Sequence, residues 1–334
     1  MCANVITQEG SPWALKRLTS TATVTDNTPG YTYNANASGE GVMIYVLDEF
    51  IRGTHDEFLK EAGGTARRIR IPVNAVGPVY ENFSFHGTFV AGVAAGLTYG
   101  VAKSAYLGGL SARELDHLPT QLRLILRNRT RKFDGTARPA NANPRPAVIN
   151  VSNDYPITDV RVTLFYIELI KAGVHVVVAA GNAGIRREAN WCFDSQVNGQ
   201  HVVVPEADRG HVHSVIWVGA STKTDRRWTS SNYGPLIDLF APGAPISSAG
   251  NQSDTAVELA PGTSFAAPHV AGIIACLLSD PQYRDLTPAQ MKQKVLATAW
   301  QNQVEGVTVP DLLKPVLWGS EFFCNSSNMS FPAS

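Results

Sequence analysis

Three polar residues stand at the ends of apolar runs, where folding can bring them together. Asp48 closes VMIYVLD, His86 opens HGTFVAGVAAG, and Ser264 lies in PGTSFAAPHVAG. A serine hydroxyl is a poor nucleophile at neutral pH. It becomes a good one when a histidine takes its proton and a buried carboxylate fixes the imidazole tautomer and stabilises the imidazolium. At the start of a predicted helix, Ser264 also faces unpaired backbone N–H groups and the positive end of the helix dipole, which suits a developing oxyanion. Gly87, Gly262 and Thr263 permit tight turns and close backbone approach where a polypeptide must lie. Pro268 falls near the first turn of that helix, where its missing N–H is expected to cost little. Asn182, in VVVAAGNAG, can offer a side-chain amide to a tetrahedral intermediate, a donor whose loss costs about 3 kcal/mol.

The elements that must carry these residues follow from the apolar pattern. Runs at 42–48, 147–152, 174–182 and 214–220 are rich in Val and Ile and apolar throughout, as strands buried on both faces of a parallel sheet are. Helical periodicity is predicted over 86–96, 118–132, 157–173, 264–280 and 287–300. The alternation predicts right-handed crossovers and a three-layer α/β fold, a mainly parallel sheet covered by helices on both faces. With no internal repeat and no low-complexity linker, a single domain over 41–300 is expected. Residues 1–40 form an N-terminal arm packed on it, and 301–334 a C-terminal extension. In such sheets the active groups lie beyond the carboxyl ends of the strands.

Composition narrows the partners. The 28 Lys and Arg balance 28 Asp and Glu with no dense basic block, which argues against nucleic acid or a membrane surface as the partner. At 44% hydrophobic residues the chain has material for a core, and no apolar run approaches the roughly 20 residues that span a bilayer. The start, MCANVITQEG, lacks a basic segment followed by an apolar one, which reads as a chain without a secretory signal, either cytosolic or processed. Cys2, Cys192, Cys276 and Cys324 show neither a metal-knuckle spacing nor a stapled framework. His211 and His213 alternate at strand spacing, too few ligands for a metal site. A monomer is expected.

The motifs LDEFIRGTHDEF, HGTFVAGVAAG, AAGNAG and GTSFAAPHVAG, in the order Asp, His, Ser, resemble the subtilisin-like serine proteases (peptidase S8). VGASTKTDRRWTSSNYGPLIDLFAPG and the N-terminal SPWALKRL resemble the proteinase K branch in particular. The resemblance implies a serine endopeptidase acting through an acyl-enzyme, with Asp48, His86 and Ser264 as its triad and Asn182 as the oxyanion-hole amide. It further implies a polypeptide substrate lying between Ser152, Asn153 and Asp154 on one side and Ala179, Ala180 and Gly181 on the other. Asp238 matches a carboxylate that ligates calcium in that branch, so a structural Ca²⁺ is implied there, with no organic cofactor. Relatives are made as secreted precursors with an inhibitory N-terminal propeptide, which implies an extracellular enzyme.

Several positions depart from the family. Glu49 and Phe50 follow the catalytic Asp where Thr or Ser and then Gly are usual, Phe89 replaces a second His, and Phe265 replaces Met. In INVSNDY, Asp154 puts a side chain at a glycine position and brings a negative charge toward the pocket, which predicts a preference for a basic or small residue before the cut. Ile216 takes the place of a branch cysteine. Two other readings stay open at this point: a peptide-binding module with reduced or lost activity, and a transpeptidase in which an amine resolves the acyl-enzyme.

Overall fold

A computed structural model describes residues 4–49, 51–66, 68–71, 85–111, 114–131, 142–299 and 304. Phe50 and, apart from Val304, the expected C-terminal extension lie outside the described residues.

Seven parallel strands make the central sheet: β1 (Met43–Leu47), β2 (Ile69–Ile71), β3 (Tyr106–Leu110), β4 (Ala147–Val151), β5 (His175–Ala179), β6 (Ile216–Thr222) and β7 (Leu239–Ala244). They lie in the order β7-β6-β5-β4-β1-β3-β2. The four strands predicted from Val- and Ile-rich runs are β1, β4, β5 and β6, at the centre of the sheet, and each of their described residues but the last of β6 is buried. The other three escaped the pattern for local reasons. Tandem glycines weaken YLGGL, β2 has three residues, and LFAPGA contains a proline that is tolerated because β7 is an edge.

The five predicted helices form as α1 (His86–Ala95), α2 (Leu118–Arg129), α3 (Val160–Lys171), α4 (Thr263–Ser279) and α5 (Pro288–Thr298). Gly87–Ala95 of α1 and Thr263–Leu278 of α4 are buried throughout, as helices apolar on every side must be. The two pack closely: a Cβ at Gly272 of α4 would come within 2.7 Å of the Ala94 carbonyl of α1 and 2.6 Å of Val101. Glycine at that position sets how near His86 and Ser264 can come. From the N-terminal segment, a strand pair (Val5–Gln8 with Tyr31–Asn34) and a helix (Trp13–Thr19) put Leu15 and Leu18 into the same buried cluster as Val270 and Ile274. Among the described residues no helix is long and apolar enough to cross a membrane.

Candidate active site

The sheet order reverses around β1. From β1 the chain moves to β2 and β3 on one side and then crosses to β4 on the other, leaving a crevice beyond the carboxyl ends of β1 and β4. Register pairs Leu47 with Val151, so the crevice is flanked by Asp48 and Ser152. Asn153 bridges its walls, donating its amide to the Leu47 carbonyl (3.2 Å) and to the Tyr155 hydroxyl (3.3 Å).

Asp48 is 2% exposed, with its backbone N–H given to the Leu110 carbonyl (2.9 Å). Its Oδ1 accepts the Glu49 N–H (2.8 Å) and its Oδ2 meets His86 Nδ1 at 2.8 Å. A carboxylate can only accept, so Nδ1 carries the proton and the lone pair of neutral His86 is on Nε2, the arrangement a general base needs. Burial pulls the His86 pKa down. The hydrogen bond and charge of Asp48, with the charge of Glu49, outweigh it and raise the pKa above the ordinary histidine value.

Two family departures are in contact. The Phe265 ring lies 5.3 Å from the His86 imidazole and 4.2 Å from the Phe89 ring, centroid to centroid. Phe89 and Phe265 therefore fill one space together beneath the imidazole side of the site, and both are buried.

Ser264 is the second residue of α4, in its first turn. Four residues on, Pro268 has no N–H to give the Ser264 carbonyl, and the Ser152 hydroxyl donates to that carbonyl instead (2.8 Å). In return the Ser264 hydroxyl donates to the Ser152 carbonyl (3.0 Å). Asn150, buried in β4, donates its amide to Ser152 Oγ (2.8 Å) and completes the chain. Pro268, expected to be nearly neutral, thus creates the carbonyl that ties α4 to β4.

Asn182 is oriented by Thr263. Its Oδ1 accepts both the Thr263 backbone N–H (3.0 Å) and the Thr263 hydroxyl (2.8 Å), while Thr263 Oγ1 accepts the Gly181 N–H (3.0 Å). A backbone N–H can only donate, so the oxygen of Asn182 faces Thr263 and its NH₂ is the end left for a ligand. A hollow of about 320 Å³ joins Asn182 and Ser264 with Ser152, Asn153, Asp154, Ala179 and Gly181. Ala180, predicted to line it, does not; it is 3% exposed and its carbonyl accepts from Asn232 Nδ2 (2.8 Å). Gly181 needs to be glycine, with φ +92° and a would-be Cβ 2.6 Å from Asn232 Nδ2.

Three lining residues were missed: Ala183, Asn232 and Arg187. Asn232 also accepts the N–H groups of Ala183 and Ile185 through Oδ1, holding the loop that carries Asn182. A second hollow of about 580 Å³ lies beside Asp48 and Glu49, between Asn153–Pro156 and Glu114–Asp116.

A family model for the subtilase peptidases (peptidase S8) matches residues 39–314. The chain belongs to the subtilase family. It is 35% identical over 92% of its length to an extracellular serine proteinase of Thermus sp. (strain Rt41A), and 34% identical over 93% to subtilisin-like protease 2 of Arthroderma benhamiae. It spans 66% of the length of each of these relatives. A crystal structure of a cold-adapted subtilisin-like serine proteinase superposes with a TM-score of 0.69 at 27% identity, covering 92% of this chain and 99% of that one.

Two remaining expectations for this subtilase fall away from the crevice. Asp238 stands before β7, at the opposite end of the sheet, where its carboxylate pairs with Lys292 at 2.7 Å. His211 and His213 sit in a 3₁₀ turn (Gly210–Ser214) rather than a strand, with His211 facing Asp208 at 4.0 Å. Among the described residues no three His, Cys, Asp or Glu side chains gather as a metal would require.

Proposed function

We propose that this subtilase is a serine endopeptidase that hydrolyses peptide bonds through an acyl-enzyme, with Asp48, His86 and Ser264 as the triad. The observation that carries the reading is the 2.8 Å contact of buried Asp48 with His86 Nδ1, which leaves Nε2 as the basic nitrogen of neutral His86. The Ser264 hydroxyl first rotates about Cα–Cβ away from the Ser152 carbonyl. Nε2 then takes its proton as Oγ attacks the scissile carbonyl carbon. The resulting oxyanion accepts N–H groups from Asn182 Nδ2 and the Ser264 backbone, both held before the charge develops. Collapse of the intermediate breaks the C–N bond, and imidazolium gives its proton to the leaving amine. Water, deprotonated by Nε2, attacks the ester, and expulsion of Ser264 releases the acid.

The substrate is a polypeptide lying extended against residues 150–154. Secretion follows from the same reading, as does restraint of the enzyme by a propeptide until it is released. A fluorophosphonate probe tests the nucleophile. Labelling of the wild-type chain that is lost in Ser264→Ala, together with hydrolysis products carrying free carboxylates, is expected. Undiminished proteolysis by the variant refutes the assignment, absence of labelling points to a binding module, and products joined to an added amine point to a transpeptidase.

A further inference from the structure

The resemblance implies a calcium ion at Asp238, and the donors present there do not fit one. Asp238 Oδ2 accepts the Trp217 N–H (2.9 Å), and Oδ1 lies 2.7 Å from Lys292 Nζ. Lys292 projects from α5, and the same ammonium donates to the Val215 carbonyl (2.7 Å). A carboxylate oxygen and a backbone carbonyl are the hard-oxygen donors that Ca²⁺ takes, and here both are directed at one ammonium. Both side chains are mostly enclosed, at 16% exposure each. Adding a dication beside Lys292 would gather three positive charges around a single carboxylate in a weakly screened setting. Among the described residues no three His, Cys, Asp or Glu side chains gather there to redress that balance.

We propose that Lys292 is a tethered cation that stands in for calcium at Asp238. It clips α5 to the amino ends of β6 and β7 and frees this part of the fold from any need for Ca²⁺. The inference rests on geometry at the far end of the sheet from the crevice and is independent of the peptidase reading.

The test is thermal unfolding in chelator and in millimolar CaCl₂, using Ser264→Ala as the background to suppress self-digestion. Asp238→Asn should leave the calcium response of the background unchanged. Lys292→Met should lower the Tm in chelator by roughly 5–10 °C, as removal of one partner from a mostly enclosed pair does. CaCl₂, but not MgCl₂, should restore part of that loss, and the restoration should vanish in Lys292→Met/Asp238→Asn. A calcium stabilisation of the background that Asp238→Asn abolishes overturns the proposal. So does failure of CaCl₂ to restore Lys292→Met, whether that variant folds in chelator or not, because Lys292 is then an ordinary ion-pair partner.

Discussion

Ser152 and Ser264 bind each other twice, the Ser152 hydroxyl to the Ser264 carbonyl and the Ser264 hydroxyl to the Ser152 carbonyl, at 2.8 and 3.0 Å. The first bond exists because Pro268 cannot serve that carbonyl, and the second engages the proton of the proposed nucleophile. Position and restraint of Ser264 thus come from one residue, 112 positions earlier in the chain.

Ser152→Ala leaves a buried carbonyl on Ser264 and a buried amide on Asn150 without this partner. The expected loss is about 1–3 kcal/mol, read as a lower denaturant midpoint, together with a lower kcat as Ser264 loses its fixed position. Pro268→Ala restores an N–H four residues beyond Ser264. The stability cost of Ser152→Ala should therefore be smaller in the Pro268→Ala background, and a double-mutant cycle with no coupling would show that Ser152 acts otherwise.

The acid limb of activity follows from His86. In the proposed mechanism neutral His86 is the base, so kcat/KM should fall as pH drops through its pKa in the free enzyme. That pKa is raised by Asp48 and Glu49 against burial, so the loss begins at a higher pH than for an ordinary histidine near 6.5. Glu49→Gln removes one raising charge without touching the ring, and its kcat/KM profile should shift toward acid. A shift toward alkali, or none, excludes Glu49 from the electrostatics of the base.

Much of the site was legible because Asp48, His86, Asn182 and Ser264 punctuate unbroken apolar runs, and those runs can only be buried strands or buried helices. Relations across the chain were not. Phe89 and Phe265 read as two separate departures from the family, whereas their rings share one space. Lys292 carries no signal of its own in the predicted helix TPAQMKQKVLATAW, and only the packing of α5 brings its ammonium to Asp238 and Val215. Asn232 lies within the stretch 218–243 but stands out there by no chemistry of its own, and Arg187 belongs to no motif; they reach the pocket because the chain after β5 and the chain after β6 fold back on one another.

Phe265 also predicts how the proposed peptidase meets oxidants. A methionine beside the nucleophile, as the family usually has, turns into a polar sulfoxide under peroxide, and phenylalanine does not. Met43 and Met291 are buried, and burial pushes the Cys276 thiol up to about 12, so neither kind of sulfur is readily attacked there. Wild-type activity should survive peroxide that inactivates Phe265→Met, and methionine sulfoxide reductase should restore the variant. Equal losses in both would place the sensitive group elsewhere.

Asp154 and Arg187 line the same hollow of about 320 Å³, so on the proposed reading specificity before the cut should turn on these two charges. From sequence, Asp154 alone predicts a basic or small residue there. With Arg187 present the two charges oppose, which favours a small neutral side chain and weakens the draw on Lys or Arg. Arg187→Ala leaves the carboxylate unopposed. The ratio of kcat/KM for peptides with Arg over Ala at that position should then rise roughly fivefold, the effect of about 1 kcal/mol between partly solvated charges. Asp154→Gly should move the ratio the other way, because it removes the one carboxylate among the described residues lining this hollow and leaves Arg187 to repel a basic side chain. Both variants keep the backbone of Ser152 and the amide of Asn182, so activity on the Ala peptide serves as the internal control. A clear wild-type preference for Phe, unchanged by either substitution, would mean that neither charge faces the bound side chain.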